Sequence, residues 1–168
     1  NNIHFTNSNA EPWKISLVDT GLNTQTGGRL KFIKDYLDDN ESFCFTYGDG
    51  LSDVNIQEQY EFHLSHKKLA TVLAVSPISR FGAMEINNSN AVTSFNEKPA
   101  SEENFINGGF FILQKKVLDY IPSLDSIWEK EPLSDLASQN QLSGFKHFGF
   151  WQPMDTLREK NHFQSLID

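Results

Sequence analysis

The chain has 168 residues, of which 38% are hydrophobic and 21% charged, enough for one domain with a proper core and too few for two. Twenty-two acidic against fourteen basic residues give a formal charge of -8, which argues against a binder of nucleic-acid backbones. An anionic small-molecule substrate stays open, because a divalent cation supplies positive charge locally.

No stretch reaches the length of an apolar membrane span, and the polar opening "NNIHFTNSNAE" does not read as a signal peptide. That opening alternates like a short strand and has no methionine, so the chain is read as a fragment or a trimmed product. The single cysteine, Cys44, forms no internal disulfide and points to a reducing compartment.

In chain order, "WKISLVDTG" reads as a strand with Ile15, Leu17 and Val18 as its apolar members, followed by a polar loop, "LNTQTGG". "RLKFIKDYL" places Leu30, Ile33 and Leu37 on one helical face. "SFCFTY" is almost wholly apolar, the pattern of a strand covered on both faces. "NIQEQYEFHLSH" has Ile56, Tyr60 and Leu64 at helical spacing, with Asp53 or Asn55 as its cap. "LATVLAV" is the next buried strand, expected beside the "SFCFTY" strand at the centre of the sheet. "FGAMEI" and "AVTSF" flank "NNSN" as a hairpin, and "INGGFFIL" is another strand. Short helices are expected at "KKVLDYI" and "PLSDLASQ", then a strand at "LSGFKHF". A terminal helix, "DTLREKNHFQSLI", is capped by Asp155 or Thr156. Strand and helix alternate as in an α/β fold, and the hairpin makes the sheet mixed.

Several residues carry chemistry. Gly48-Asp49-Gly50 follows a buried strand, and open α/β sheets bind ligands at such strand ends. A tight turn with an N-cap is the plainer reading of those residues. Asp155, taken alone, is a helix cap. Together, two strand-end aspartates suit a hard cation that takes few protein ligands and fills its shell with substrate phosphates. In "NEKP", Lys98 suits a phosphate and Glu97 sugar hydroxyls, against a solvated loop as the plainer reading. His63 and His66 read as surface or packing residues, and Cys44 as a structural thiol. No Walker pattern and no Gly-x-Gly-x-x-Gly occurs.

The segments "TGGRL", "FCFTYGDGLSDV", "RFGAMEI", "SFNEKP", "INGGFFIL", "WEKEPL" and "GFWQPMDTLRE", in this order, resemble the sugar-1-phosphate nucleotidyltransferases. "TYGDG" with "FWQPMDT" is similar to the branch that uses CTP and glucose 1-phosphate. The resemblance implies one domain over residues 1–168, with a Rossmann-like mixed sheet and flanking helices, incomplete at its amino end. It implies transfer of a cytidylyl group from CTP to α-D-glucose 1-phosphate, giving CDP-glucose and pyrophosphate, with Mg2+ as cofactor. It further implies a cytoplasmic enzyme of bacterial surface-polysaccharide synthesis that binds neither nucleic acid nor membrane. Family members are commonly oligomers, so a homo-oligomer is open.

Carried over by position, Asp49 and Asp155 match the metal-binding aspartates, and Lys98 the lysine on the sugar phosphate. Gly82, Glu97, Asn107, Gly108 and Glu131 match the sugar side, and Thr26, Gly27, Arg29 and Gly48 the nucleotide side. The family's glycine-rich triphosphate loop has no counterpart in these residues, so this chain alone is expected to turn over little. A non-catalytic remnant, or a uridylyl- or thymidylyltransferase, are the alternatives.

Overall fold

The computed structural model describes residues 13–39, 41–76, 83–96 and 105–167. Its strands are β1 (Ser42–Thr46), β2 (Gly50–Ser52), β3 (Ala70–Val75), β4 (Ala83–Ile86), β5 (Val92–Asn96), β6 (Ile106–Gln114), β7 (Leu142–His147) and β8 (Trp151–Pro153). The helices are α1 (Thr26–Phe32), α2 (Ile56–His66), α3 (Glu131–Ser138) and α4 (Leu157–Ile167), with 3₁₀ segments at Lys34–Tyr36 and Lys115–Tyr120. The main sheet has the order β1-β6-β3-β7, and β2-β8 and β4-β5 form separate two-stranded pairs. β3 and β7 run parallel, while β6 is antiparallel to both β1 and β3, so the sheet is mixed as expected.

The two apolar strands expected side by side are not neighbours, because β6 lies between β1 and β3. The sequence contains the reason. β6 buries Phe111, Ile112 and Leu113 in succession, so both of its faces are covered. In β1 only Phe43 and Phe45 pack against the core, and Cys44 and Thr46 are exposed, so β1 is covered on one face. Residues 13–21 form no strand either: Trp13, Ile15 and Leu17 are exposed, and no partner edge lies beside them among the described residues. The "TGG" expected in a loop is the first turn of α1.

The core gathers Leu30, Ala70, Phe111, Leu113, Val117, Leu118, Ile121, Trp128 and Leu136 on one face of the sheet. Phe45 and Phe111 meet the Trp128 ring edge-on, with centroids at 6.4 and 5.9 Å. The opposite face, carrying Thr71 by alternation from Ala70, receives α2. Asn55 caps that helix, its side chain accepting from the amides of Gln57 and Glu58. The buried residues of α2 are Gln59 and His63, while Ile56 and Leu64 are 50% and 53% exposed. The helix therefore docks through polar groups beside one ring contact, Phe62 on Phe145 with centroids at 5.5 Å. Gln59 Nε2 donates to the Phe110 carbonyl at 3.2 Å. His63 lies 2.9 Å from Thr71 Oγ1 and 3.1 Å from Ser42 Oγ, and His66 lies 2.7 Å from the same Thr71 oxygen.

Burial first, and then the neighbouring His66, holds the His63 pKa down at about 4 against an ordinary 6.5. The unfolded chain takes up a proton that the folded state refuses. The resulting stability is fully present above pH 6.5 and is lost as pH falls from 6.5 toward 4. Thermal melts should show Tm dropping through that window, and His63→Leu should flatten the slope while lowering Tm at neutral pH. A wild-type Tm independent of pH there would contradict the assignment.

Candidate active site

β1, β3 and β7 end where β6 begins: Val75 stands opposite both Ile106 and His147, and Thr46 opposite Phe110. At this carboxyl edge β1 runs into the turn Tyr47-Gly48-Asp49, and the chain then enters β2. β2 pairs antiparallel with β8 in the register Gly50↔Pro153, Leu51↔Gln152, Ser52↔Trp151. One step further along the same ribbon, the Met154 amide donates to the Asp49 carbonyl at 2.8 Å. Pairing across about a hundred residues of sequence thus brings Asp49 and Asp155 to one end of one ribbon.

Both aspartates are exposed. Capping does not account for Asp155, since Thr156 fills that role: Thr156 Oγ1 accepts from the Glu159 amide at 3.3 Å, and Glu159 Oε2 accepts from the Thr156 amide at 2.8 Å. A Cβ built on Gly48 meets nothing within 4 Å, so space beside the turn is open.

A second constellation was not singled out from the sequence. The Tyr47 hydroxyl donates to Glu129 Oε1, and Thr26 Oγ1 donates to Glu129 Oε2 at 2.8 Å. Thr26 Oγ1 also accepts from the Trp128 amide at 2.9 Å. Burial raises the Tyr47 pKa, the Glu129 carboxylate raises it further, and Asn107 opposes them by hydrogen bonding. Tyr47 thus stays a phenol and keeps donating. The only sequence signal for Glu129 was its place in "WEKEPL", where Glu131 was favoured; Glu131 sits exposed in the first turn of α3.

Of the residues expected on the nucleotide side, Gly27 and Arg29 also hold α1 in place. The amides of Gly27 and Gly28 donate to the Ser126 carbonyl at 3.0 and 3.3 Å. Side chains have no room there, since a Cβ on Gly28 would lie 2.0 Å from the Leu124 carbonyl oxygen. Arg29 donates from Nη1 to Thr20 Oγ1 at 2.6 Å and from Nη2 to the Leu22 carbonyl at 3.3 Å.

On β6, Asn107 Oδ1 accepts from the Gly109 amide at 2.8 Å, and the Gly108 carbonyl accepts from the Trp151 indole at 2.8 Å. Gly82, Glu97 and Lys98 lie outside the described residues. The β4–β5 hairpin that they flank is as expected, with Ala83 opposite Asn96.

Among the described residues no group of three or more His, Cys, Asp or Glu is gathered as a metal cage. Two exposed carboxylates at one ribbon end fit a cation that takes one or two carboxylates and fills its shell with water and phosphate oxygens.

Residues 7–146 match the family model for nucleotidyl transferases. The chain belongs to the nucleotidyl transferase family. It is 48% identical over 166 residues to glucose-1-phosphate cytidylyltransferase of Salmonella typhimurium, covering 99% of this chain and 64% of that protein. It is 34% identical over 142 residues to mannose-1-phosphate guanyltransferase of Saccharomyces cerevisiae, covering 79% of this chain and 39% of that one. The chain thus spans just under two thirds of the length of the Salmonella relative. Among solved structures, HddC from Yersinia pseudotuberculosis superposes with a TM-score of 0.62 at 19% identity, over 88% of this chain and 64% of that one. The fold is the Rossmann-like nucleotidyltransferase fold expected from the sequence.

Gly28→Ala must push two backbone segments apart at a 2.0 Å approach. It should destabilise the chain by about 3 kcal/mol, at the upper end for overpacking. Urea unfolding checks this, and an unchanged midpoint would show that α1 is not held against residues 124–126.

Proposed function

We propose that this chain carries the metal-binding aspartates of a glucose-1-phosphate cytidylyltransferase, which converts CTP and α-D-glucose 1-phosphate to CDP-glucose and pyrophosphate. The observation that carries the reading is the β2–β8 register, which sets Asp49 beside Met154-Asp155 at the carboxyl edge of the sheet. The 48% identity to the Salmonella cytidylyltransferase supports the choice of nucleotide and sugar.

In the reaction an oxygen of the sugar phosphate attacks the α-phosphorus of CTP in line. A new P–O bond forms as the α–β bridging bond breaks, and pyrophosphate leaves with the electron pair. Positioning and charge neutralisation dominate the catalysis of such transfers. Asp49 and Asp155 would hold Mg2+, which supplies positive charge against the phosphate oxygens when bound.

The protein's own residues then have separable tasks. Lys98 neutralises the sugar phosphate, and Glu97 accepts from sugar hydroxyls. Asn107, Gly108 and Glu131 line the sugar side, and the open space at Gly48 admits the nucleotide. Thr26, Gly27 and Arg29 serve the nucleotide side by shaping it, Thr26 through its bond to Glu129.

In the intact enzyme, Asp49→Asn keeps shape and removes charge, and turnover should fall by about 100-fold or more while the fold is retained. A loss of less than about tenfold would remove Asp49 from the metal role and leave the family intact. Lys98→Ala should raise the KM for glucose 1-phosphate more than it lowers kcat. Unchanged values of both would take Lys98 out of the site.

A further inference from the structure

β2 and β8 are three residues each, and an isolated two-stranded ribbon of that size does not hold its own shape. If Asp49 and Asp155 act together, something must fix the ribbon that carries them. One corner is fixed by the Trp151 indole on the Gly108 carbonyl. The other converges on the Phe150 carbonyl, which accepts from the Asp53 amide at 3.1 Å and from Ser52 Oγ at 3.0 Å.

His147 Nε2 lies 2.9 Å from Asp53 Oδ1 and 3.2 Å from that same carbonyl. Both neighbours are acceptors, so Nε2 carries the hydrogen and donates. His147 is the last residue of β7, in register with Val75 of β3, and its side chain is only 13% exposed, so the main sheet fixes it. Gly149 threads through the contact: a Cβ there would lie 2.5 Å from Asp53 Oδ1 and 2.7 Å from His147 Cε1.

We propose that His147 and Asp53 form a latch that positions the Asp49/Asp155 end of the ribbon on the sheet. The metal consequence rests on the reading given under Proposed function; the latch itself rests on geometry alone. Asp53 is the second aspartate of "GDGLSDV", and its bond to His147 gives it a task apart from that of Asp49. The pair acts through the ribbon backbone, at one end of β2, while Asp49 precedes the other end.

The test uses the intact protein and two readouts. Amide hydrogen exchange at Met154, whose N–H bonds the Asp49 carbonyl, reports the ribbon directly. Mn2+ titration followed by electron paramagnetic resonance reports the two carboxylates. His147→Ala should accelerate Met154 exchange and raise the Mn2+ Kd by about tenfold, the lower end for loss of a group supporting metal ligands. His147→Gln keeps an N–H donor and Asp53→Asn keeps an oxygen acceptor, so both should stay within about threefold of wild type.

Unchanged Met154 exchange in His147→Ala would overturn the latch. So would a Gln or Asn variant as damaged as the alanine variant, because the hydrogen bond would then not be the cause. A Tm lowered equally in all three variants with Mn2+ affinity untouched would reduce the pair to general stability and also overturn the proposal. If wild type takes up no Mn2+ while Met154 exchange still rises in His147→Ala, the latch stands and the metal reading fails.

Discussion

Everything at the candidate site depends on β6 lying antiparallel between β1 and β3. Phe111, Ile112 and Leu113 are buried there in succession, each contributing about 1.5–3 kcal/mol relative to exposure. Its amino end must then come very close to its neighbours. A Cβ on Gly108 would lie 3.0 Å from the Leu73 carbonyl oxygen, and Gly109 adopts φ +79 with the Tyr47 ring 2.8 Å from where its Cβ would be. The ring occupies the volume that a side chain would otherwise take. "INGG" is therefore a packing solution first, and the Gly108 carbonyl it exposes to Trp151 becomes an anchor for the aspartate ribbon.

Much of this was legible in the residues themselves. Buried apolar runs marked β1, β3 and β6, "NNSN" marked its hairpin, and the strand-end position of Asp49 followed from what precedes it. Strand order was not legible. Apolar density distinguishes a strand covered on both faces from an alternating one, yet "SFCFTY" is dense and still has one face, that of Cys44 and Thr46, exposed among the described residues. The strand expected at residues 13–21 failed for the opposite reason: the pattern was present, and among the described residues no strand pairs with it.

The site was legible where motifs name it and obscure where packing builds it. Asp49 and Asp155 were found as strand-end carboxylates, but the ribbon joining them is too short to leave a periodic trace. Glu129 is held by Tyr47 and Thr26, residues distant in sequence whose approach depends on the burial of Trp128. The indole N–H of Trp128 finds no acceptor among the described residues, a polar cost accepted where the ring fills the core. Gly27 and Gly28, read as part of a polar loop, lie where the first turn of α1 presses against backbone.

The polar docking of α2 has a further property, which is proton order. The Lys68 amide can only donate, so His66 Nδ1 accepts and the hydrogen of that ring sits on Nε2. His66 then donates to Thr71 Oγ1, and the threonine passes its single hydrogen to His63 Nδ1. His63 in turn donates from Nε2 to Ser42 Oγ, which gives every imidazole nitrogen along the chain a partner. One main-chain amide after the helix thus dictates the tautomer of two imidazoles and the rotor of a buried hydroxyl. Inverting any link obliges the others to invert with it, so β1, α2 and β3 are joined by a hydrogen-bond chain that has a direction as well as a geometry.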